Sequence, residues 1–262
     1  MTDAVYGSAM KTIVVKIGGR AAEREDGLRS MGAEMSSLAR TGRFLLVHGG
    51  GAEVTAVSKK LGIEAVFTGG VRQTSLAEMD IVDMVLAGKV NKQIVRLLRA
   101  CGLDAVGLSG PDGGIFTGRP LGAETRTAEV AAMDTRLLEL LLAKGFLPVV
   151  SPVSMDAHGT GLNINADSVA FALASRLAAS ALLFLSDIPG ILRDGSVIRE
   201  LSGAEAQGLV ASGVVSGGMI PKVSASVDAL AKGVQNVIIG QYEGAGSLAG
   251  LLDGRLGTRI RK

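Results

Sequence analysis

Short apolar runs alternate with amphipathic stretches along this chain. Ile13 to Ile17 and Phe44 to Val47 are aliphatic or aromatic runs, typical of strands buried on both faces of a parallel sheet. Between them, Asp26 to Arg40 carries apolar residues at helical spacing. Glycines follow each run, Gly18-Gly19 after the first and Gly49-Gly50-Gly51 after the second. The repeated order of strand, glycine turn and helix predicts an α/β fold whose parallel sheet carries both turns at one edge.

The same alternation continues towards the C-terminus. Residues 113 to 129 alternate glycine, threonine and charge, which predicts a hairpin or flap over the surface. Further predicted strands are Asp104 to Leu108, Phe146 to Val150, Ala181 to Ser186 and Asn236 to Ile239. Further predicted helices are Ala52 to Leu61, Ser75 to Ala100 with Gly88 as a candidate break, Asp134 to Lys144, Asn165 to Ala178, Ala204 to Ala211 and Lys222 to Lys232.

Length and composition narrow the class of protein. A chain of 262 residues is long enough for one large α/β domain or two lobes, and we expect any lobe boundary near Ala174 to Ser180. Lys and Arg number 27 against 25 Asp and Glu, with no basic block, so nucleic acid is not an expected partner. The single Cys101 allows no internal disulfide, and no apolar run approaches the roughly 20 residues of a membrane span. The first ten residues do not resemble a signal peptide, so a cytoplasmic location is expected.

Lys16 is the first candidate for chemistry. A lysine inside a buried strand is costly unless an anion meets its ammonium group. Gly18 and Gly19 allow the backbone to approach a ligand closely, which suits phosphate. The alternative is an edge strand that points Lys16 into water.

The triple glycine after the second strand is a second candidate. Three glycines before a helix leave N-H groups free to point at one anion beside the helix N-terminus. A simple tight turn would need only one of them. His48 has no second histidine or cysteine at metal-ligand spacing, and we expect it to hold the turn by a hydrogen bond rather than to transfer protons.

Candidate polar and charged residues occur at three further places in the chain. Asn163, Asn165 and Asp167 surround a predicted helix start, where Asn165 can cap and Asp167 can stay ionised and pair with lysines. Lys222 follows Gly217-Gly218 at another helix start, an unfavourable place for a cation unless an anion is near. Arg72 follows Gly69-Gly70 and is suited to a carboxylate, or is a solvated loop residue.

This inventory contains cations, amides, one aspartate and two glycine turns, but no evident nucleophile, base or metal cluster. It suits phosphoryl transfer to an acceptor that is already a nucleophile, where the protein aligns groups and neutralises charge. A carboxylate acceptor needs no general base. No Walker loop occurs, so any nucleotide is bound in another way.

The motifs in this order resemble the amino acid kinase family. The resemblance runs nearly from end to end of the chain. It is carried by Val14-Val15-Lys16-Ile17-Gly18-Gly19, Val47-His48-Gly49-Gly50-Gly51, Gly70-Val71-Arg72, Met84 to Lys92, Val106 to Gly110, Asn163-Ile164-Asn165-Ala166-Asp167, Leu185 to Leu192 and Gly217 to Lys222.

The resemblance implies a three-layer αβα sandwich around a mainly parallel sheet of about eight strands. It implies an amino-acid-binding and dimerising lobe at residues 1–176 and an ATP-binding lobe at 177–262. The implied reaction is ATP-dependent phosphorylation of the γ-carboxylate of N-acetyl-L-glutamate, with Mg²⁺ carried by the nucleotide phosphates and no metal site on the protein. Lys16, Lys222 and Asp167 would be catalytic. The implied substrate-binding residues are Gly19, Gly50, Gly51, Arg72, Asn163 and Asn165.

The resemblance also implies nucleotide contacts and an assembly. ATP would contact Lys16, Gly18, Ser186, Asp187, Ile188, Pro189, Gly190, Ile191, Leu192, Val214, Val215, Ser216, Gly218, Met219 and Lys222. Arginine-inhibited hexamers of the family carry a longer N-terminal helix. Only about eleven residues precede the first strand here, so an arginine-insensitive homodimer is expected.

Three other functions compete with this one. A sister kinase acts on aminoadipate or glutamate linked to a carrier protein, and is disfavoured because no basic cluster for an acidic carrier is visible. A Rossmann oxidoreductase is disfavoured because neither glycine turn reads Gly-x-Gly-x-x-Gly. A ligand-sensing module on the same fold would not need Lys16, Lys222 and Asp167 together.

Overall fold

A computed structural model describes residues 10–18 and 24–262 of the chain. Its strands form one large sheet, one four-stranded sheet and two short hairpins. The strands are β1 (Lys11–Ile17), β2 (Gly42–His48), β3 (Phe67–Thr68), β4 (Val71–Arg72), β5 (Ala105–Leu108), β6 (Phe116–Pro120), β7 (Thr127–Met133), β8 (Leu147–Val150), β9 (Val153–Met155), β10 (Gly161–Ile164), β11 (Ala181–Ser186), β12 (Leu192–Arg193), β13 (Ser196–Val197), β14 (Glu200–Ser202), β15 (Asn236–Gln241) and β16 (Thr258–Arg261).

The large sheet has eight strands in the order β14-β16-β15-β11-β1-β2-β8-β5. The six strands from β15 to β5 are parallel, whereas β16 runs antiparallel to β15 and carries β14 parallel to itself. The predicted fold class, mainly parallel with about eight strands, is confirmed. Strand β1 is hydrogen-bonded on both sides, so the edge-strand alternative for Lys16 is wrong.

Helices cover the sheet between the strands. The segment predicted as one long helix with a break at Gly88 is continuous but changes its winding, because a π-helix (Asp83–Val90) joins the α-helices Leu76–Val82 and Asn91–Ala100. None of the helices in the described residues combines the length and apolar character that crossing a bilayer requires. The α-helices are α1 (Glu25–Leu38), α2 (Gly51–Lys60), α3 (Leu76–Val82), α4 (Asn91–Ala100), α5 (Arg136–Ala143), α6 (Ala166–Arg176), α7 (Gly203–Ala211), α8 (Met219–Ala231) and α9 (Ser247–Leu252).

The two faces of the sheet pack against different helices, which gives the three predicted layers. Ile13, Val15 and Ile17 of β1 lie in a core shared with α1 and α4. Val14 points to the opposite face, where it packs in a core shared with α6 and α8. Because side chains alternate along a strand, Lys16 shares the face of Val14 and points towards α6 and α8.

Residues 113–129 form the predicted hairpin, but it is more than a surface flap. Strands β6 and β7 pair antiparallel and belong to a four-stranded sheet with β10 and β9. Ile115 and Phe116 are fully buried in the core below it. The large sheet passes from β1 to β11 without interruption, and the lobe boundary at residue 176 stays a prediction.

Candidate active site

Lys16 and Lys222 meet on one carboxylate. The Lys16 Nζ lies 2.7 Å from Asp167 Oδ1, and the Lys222 Nζ lies 2.9 Å from Asp167 Oδ2. The three side chains are only 14%, 24% and 20% exposed for Lys16, Lys222 and Asp167. Two ammonium groups and one carboxylate leave one net positive charge in a partly dehydrated place, which is suited to an anion.

The local structure explains why these three groups converge. Asp167 is in the first turn of α6, whose N-cap Asn165 accepts a hydrogen bond from the Asp167 N-H at 2.7 Å. A carboxylate is favoured at this positive end of a helix. Lys222 is the fourth residue of α8, where the helix dipole disfavours a cation and Asp167 compensates. The predicted cap at Asn165 and the predicted anionic partner of Lys222 are both confirmed.

The pKa of Asp167 reflects two opposing effects. Burial by itself raises the pKa, because it disfavours the charged carboxylate. The positive charges of Lys16 and Lys222 more than offset the burial, so the net pKa lies below its ordinary value. Asp167 is therefore ionised at neutral pH and holds both lysines.

The glycine turn after β2 lies beside Lys16. Gly50 is the N-cap of α2 with φ of 140°, a conformation that favours glycine. A β-carbon on Gly50 would also approach Leu86 and Val90 of the π-helix too closely. Gly49, Gly50 and Gly51 all line one pocket with Lys16, Gly18 and Asp167.

His48 is a structural residue of this turn, as predicted. Its ring is fully buried, and its Nδ1 lies 2.7 Å from the Gly49 carbonyl and its Nε2 3.1 Å from Asn91 Nδ2. Since Gly49 O can only accept and the Asn91 amide donates, the neutral ring with the proton on Nδ1 satisfies both contacts. Burial, which disfavours the charged ring, lowers the pKa of His48 to about 4 despite the hydrogen bond to Gly49. Both nitrogens are occupied, so His48 is not available as a general base.

Arg72 lines the same pocket, which has a volume of about 270 Å³. It is buried on the short strand β4, so the alternative of a solvated loop arginine is wrong. Its Nη1 donates to Glu78 Oε1 at 2.6 Å, and its Nη2 donates to Gly51 O at 2.8 Å and to Thr55 Oγ1 at 2.5 Å. The guanidinium also packs over the ring of Phe67, 4.8 Å from its centroid.

Asn163 lies at the other side of this pocket, on β10. Its Nδ2 donates to the buried Thr74 Oγ1 at 2.8 Å. The Thr74 N-H donates to Thr127 Oγ1, and that hydroxyl donates in turn to the Arg72 carbonyl. One chain of hydrogen bonds therefore connects the two residues predicted to bind the amino acid.

Lys16 and Gly18, which are also predicted to bind the nucleotide, line this pocket, and other predicted nucleotide-binding residues lie at several places beyond it. Ser186 and Asp187, at the end of β11, line a second pocket of about 400 Å³. The side chains of Ile191 and Val215 point into the hydrophobic core, so only their backbone atoms remain for a ligand. Gly218 is the N-cap of α8 and Met219 is its first residue. The remaining predicted positions are Ile188, Pro189, Gly190, Leu192, Val214 and Ser216, and their contact with a nucleotide stays a prediction.

Two further expectations concern Gly19 and a metal site on the protein. Gly19, predicted to bind the substrate, lies outside the described residues. Within 10–18 and 24–262, His, Cys, Asp and Glu side chains form no group of three or more that could hold a metal ion.

Sequence reasoning missed several residues of this site. Thr55, Ser58, Thr74 and Thr127 were not singled out, because isolated hydroxyl residues carry no pattern. Glu78 was also missed, although Ser75-Leu76-Ala77-Glu78 reads as a capping box and could have drawn attention to it.

Comparison with known proteins finds similar sequences over most of the chain. The model of the amino acid kinase family matches residues 11–241 of the chain. An acetylglutamate kinase of Nostoc sp. is 44% identical over 261 residues, covering 96% of this chain and 88% of that protein. An acetylglutamate kinase of Rhizobium rhizogenes is 41% identical over 245 residues, covering 87% of this chain and 83% of that protein.

A solved structure resembles the chain over nearly its full length. The N-acetylglutamate synthase of Neisseria gonorrhoeae, complexed with coenzyme A and N-acetyl-glutamate, superposes with a TM-score of 0.84 at 27% sequence identity. The match covers 96% of this chain and 59% of the synthase chain.

Proposed function

The chain belongs to the amino acid kinase family, and from this we propose that it transfers the γ-phosphoryl group of ATP to the γ-carboxylate of N-acetyl-L-glutamate. The products are ADP and N-acetyl-L-glutamyl 5-phosphate, an intermediate of arginine biosynthesis. Curated relatives with this activity in their name, at 41% and 44% identity, support the substrate. The observation that carries the proposal is the pair of lysines on Asp167 beside a pocket that contains an arginine and an asparagine.

The acceptor needs no general base. A carboxylate with a pKa of about 4 is ionised at neutral pH, so one of its oxygens attacks the γ-phosphorus directly. The bond from the γ-phosphorus to the oxygen bridging to the β-phosphate breaks, and ADP leaves with that electron pair. This chemistry agrees with His48 being buried and neutral with both nitrogens occupied.

Charge neutralisation and alignment supply the catalysis. Lys16 and Lys222 each bind a different oxygen of Asp167, so two separate ammonium groups are held where they can neutralise charge on the moving phosphoryl group. Asp167 itself is a positioning residue, since it fixes both ammonium groups before the substrates arrive. The backbone N-H groups of Gly50 and Gly51, with Gly19, bind phosphoryl and acceptor oxygens.

The amino acid is held at its two other polar ends. Arg72 binds the α-carboxylate, and Asn163 with Asn165 binds near the acetamido group. Of the five N-H groups of Arg72, those on Nε and one on Nη1 have no partner among the described residues and remain for a ligand. In this proposed pose the γ-carboxylate lies next to Lys16 and Gly18, which line the same pocket as Arg72 and Asn163.

The nucleotide extends away from this pocket. Ser186 to Leu192, Val214 to Ser216, Gly218 and Met219 lie along ATP, with Lys16, Gly18 and Lys222 at its phosphates. The net positive charge of the two lysines with Asp167 fits phosphate oxygens. Mg²⁺ would be held by the phosphates and would neutralise more of their charge when bound.

The assembly and location stay predictions of the same proposal. We expect a homodimer whose activity is insensitive to arginine, located in the cytoplasm. Sedimentation analysis and an assay with added arginine test the first two. A hexamer that arginine inhibits would contradict both.

One assay tests the reaction. The protein is incubated with MgATP and N-acetylglutamate, and any acyl phosphate is trapped as a hydroxamate. Parallel arms contain N-acetylaminoadipate, aspartate or glutamate, and an arm with UMP is followed by the formation of ADP, because UDP gives no hydroxamate. We expect more hydroxamate to form with N-acetylglutamate than with any other acid. If none of the acids gives hydroxamate, the proposal is refuted.

A further arm addresses the rival substrate class. If hydroxamate forms only when aminoadipate or glutamate is linked to a carrier protein, the chain is the sister kinase and not a kinase of the free acid. Binding of N-acetylglutamate without any ATP consumption would instead identify a ligand sensor.

A further inference from the structure

The chain contains two Ser-x-x-Glu motifs at helix starts, and they behave differently. At Ser202 and Glu205 the full capping box forms, with the Glu205 N-H bound to Ser202 Oγ and the Ser202 N-H bound to Glu205 Oε2 at 2.7 Å. At Ser75 and Glu78 only half of it forms. The Glu78 N-H donates to Ser75 Oγ at 3.1 Å, but the Glu78 carboxylate turns away from the helix end.

The diverted carboxylate binds Arg72 instead. Glu78 Oε1 accepts from Arg72 Nη1 at 2.6 Å and from Ser58 Oγ at 3.2 Å. Glu78 and Ser58 are 1% and 0% exposed. The helix start thus gives up one of its two capping hydrogen bonds, and the carboxylate is removed from water.

Such an ion pair is not explained by stability alone. Burying two charges costs desolvation energy, and apolar residues of similar size often stabilise a fold as well or better. A departure from a local rule of this kind is expected where a functional side chain must be held in place.

Arg72 is held at more than one point. Glu78, which itself accepts a hydrogen bond from Ser58, binds the Arg72 Nη1. Thr55 Oγ1 and Gly51 O bind the Arg72 Nη2. Arg72 lines the substrate pocket, whereas Glu78 and Thr55 are not among its lining residues. Neither acceptor therefore contacts a ligand in this pocket, and each orients a ligand through Arg72.

We infer that Glu78 is a positioning residue, assisted by Thr55, that aims Arg72 at the α-carboxylate of the substrate and so sets selectivity for acids that carry this group. The inference rests on the proposed function, in which Arg72 binds that carboxylate. Pre-orienting an arginine fork reduces the entropy lost when a carboxylate binds.

The choice of variant must separate position from charge. Glu78→Gln would remove a negative charge near the bound acid, which by itself favours anion binding and obscures any loss of orientation. Glu78→Asp keeps the charge and shortens the side chain by one methylene group, so it changes position alone. Glu205→Asp is the matched control, because it makes the same change at the same position of another helix start.

The test compares two acids that differ only in the α-carboxylate. N-acetylglutamate and 4-acetamidobutanoate share the acceptor carboxylate and the acetamido group, but the second lacks the α-carboxylate. Kd is measured for each acid by calorimetry, and kcat and KM by hydroxamate trapping, with Tm as the measure of folding.

We expect Glu78→Asp to raise Kd and KM for N-acetylglutamate on the order of tenfold, with kcat nearly unchanged. The Kd of Glu78→Asp for 4-acetamidobutanoate should equal that of the wild type. In Glu205→Asp, Kd and KM for N-acetylglutamate should also equal the wild-type values. Thr55→Val removes a second acceptor of Arg72 without changing charge, and should give a smaller loss in the same direction, on the order of threefold.

The outcomes are distinguishable. If Glu78→Asp and Thr55→Val change the affinity for both acids by the same factor, or for neither, Glu78 is merely structural and the inference is wrong. If the wild type binds N-acetylglutamate but does not phosphorylate it, the proposed function fails while the Kd ratio still decides the role of Glu78. If it does not bind N-acetylglutamate at all, both are refuted.

Discussion

The ammonium group of Lys16 folds back over Gly18, at the place where any larger residue would carry its β-carbon. Lys16 reaches Asp167 only by passing over this bare backbone, so the glycine two residues later in the chain decides where the lysine can go. A side chain at Gly18 would occupy the volume that Nζ now fills.

Gly18→Ala should therefore impair catalysis with little loss of fold. The methyl group displaces the Lys16 ammonium from Asp167, and we expect kcat to fall by about tenfold or more, since small misplacements of aligned groups are costly. Steady-state kinetics and Tm measure the two effects. Gly208→Ala, in the exposed part of α7 with open space around it, is the control. Equal kcat in the two variants would show that the position of Lys16 is not decisive.

Lys222→Met removes a positive charge while keeping a long side chain. Because this charge acts on the transferring phosphoryl group, kcat should fall on the order of 10² or more, while KM for the amino acid changes little. Lys232→Met, at the exposed C-cap of the same helix, controls for the general effect of losing a lysine. A near-normal kcat in Lys222→Met would make Lys222 a structural residue.

Asp167→Asn should alter the dependence of stability on pH. The pKa of Asp167 is lowered in the folded state, so the unfolded chain takes up a proton first as the pH falls below the ordinary value of about 3.9. The stabilisation by Asp167, about 1 to 3 kcal/mol, is present in full above about pH 5 and is lost as the pH falls through the lowered pKa.

Urea unfolding of the wild type and Asp167→Asn between pH 3 and pH 7 measures this difference. The two curves should be separated at neutral pH and should approach each other in acid. A constant difference over the whole range would mean that Asp167 keeps the same pKa in both states.

His48 should make the protein less stable below neutral pH. Its pKa is about 4 in the folded state, against an ordinary value of about 6.5. Between these values the unfolded chain binds a proton that the folded chain does not, so the free energy of unfolding falls with decreasing pH by up to about 1.4 kcal/mol per pH unit. His48→Gln should remove this slope in urea titrations. A His48 ring seen by NMR to be protonated at pH 6 in the folded protein would contradict the expectation.

The fold was largely predictable, and the two missed strands of the large sheet share a cause. Strands such as β1 and β2 can be predicted from the sequence because they are buried on both faces and so carry continuous apolar runs. Strands β14 and β16 were missed because they are short and mix charged with apolar residues. Strand β16 joins the sheet by pairing with β15, and β14 joins it by pairing with β16.

The candidate site was predictable in its members but not in its arrangement. Lys16 and Lys222 each break a local rule, since one lysine lies inside a buried strand and the other at a helix start, and such violations can be read from the chain. Asp167 follows a local rule, because a carboxylate is favoured in the first turn of a helix. Glu78 obeys the local rule for a capping box in sequence and breaks it only in the folded protein.

The sequence alone determined the α/β class, the glycine turns and the charged residues that need an anion, because burial periodicity and helix-end chemistry act over a few neighbouring positions. Only the tertiary structure decided that Lys16 and Lys222 share Asp167 and that Glu78 holds Arg72 rather than its own helix end. These partnerships join segments far apart in the chain, and their distances depend on strand register and helix packing, which no short stretch of sequence encodes.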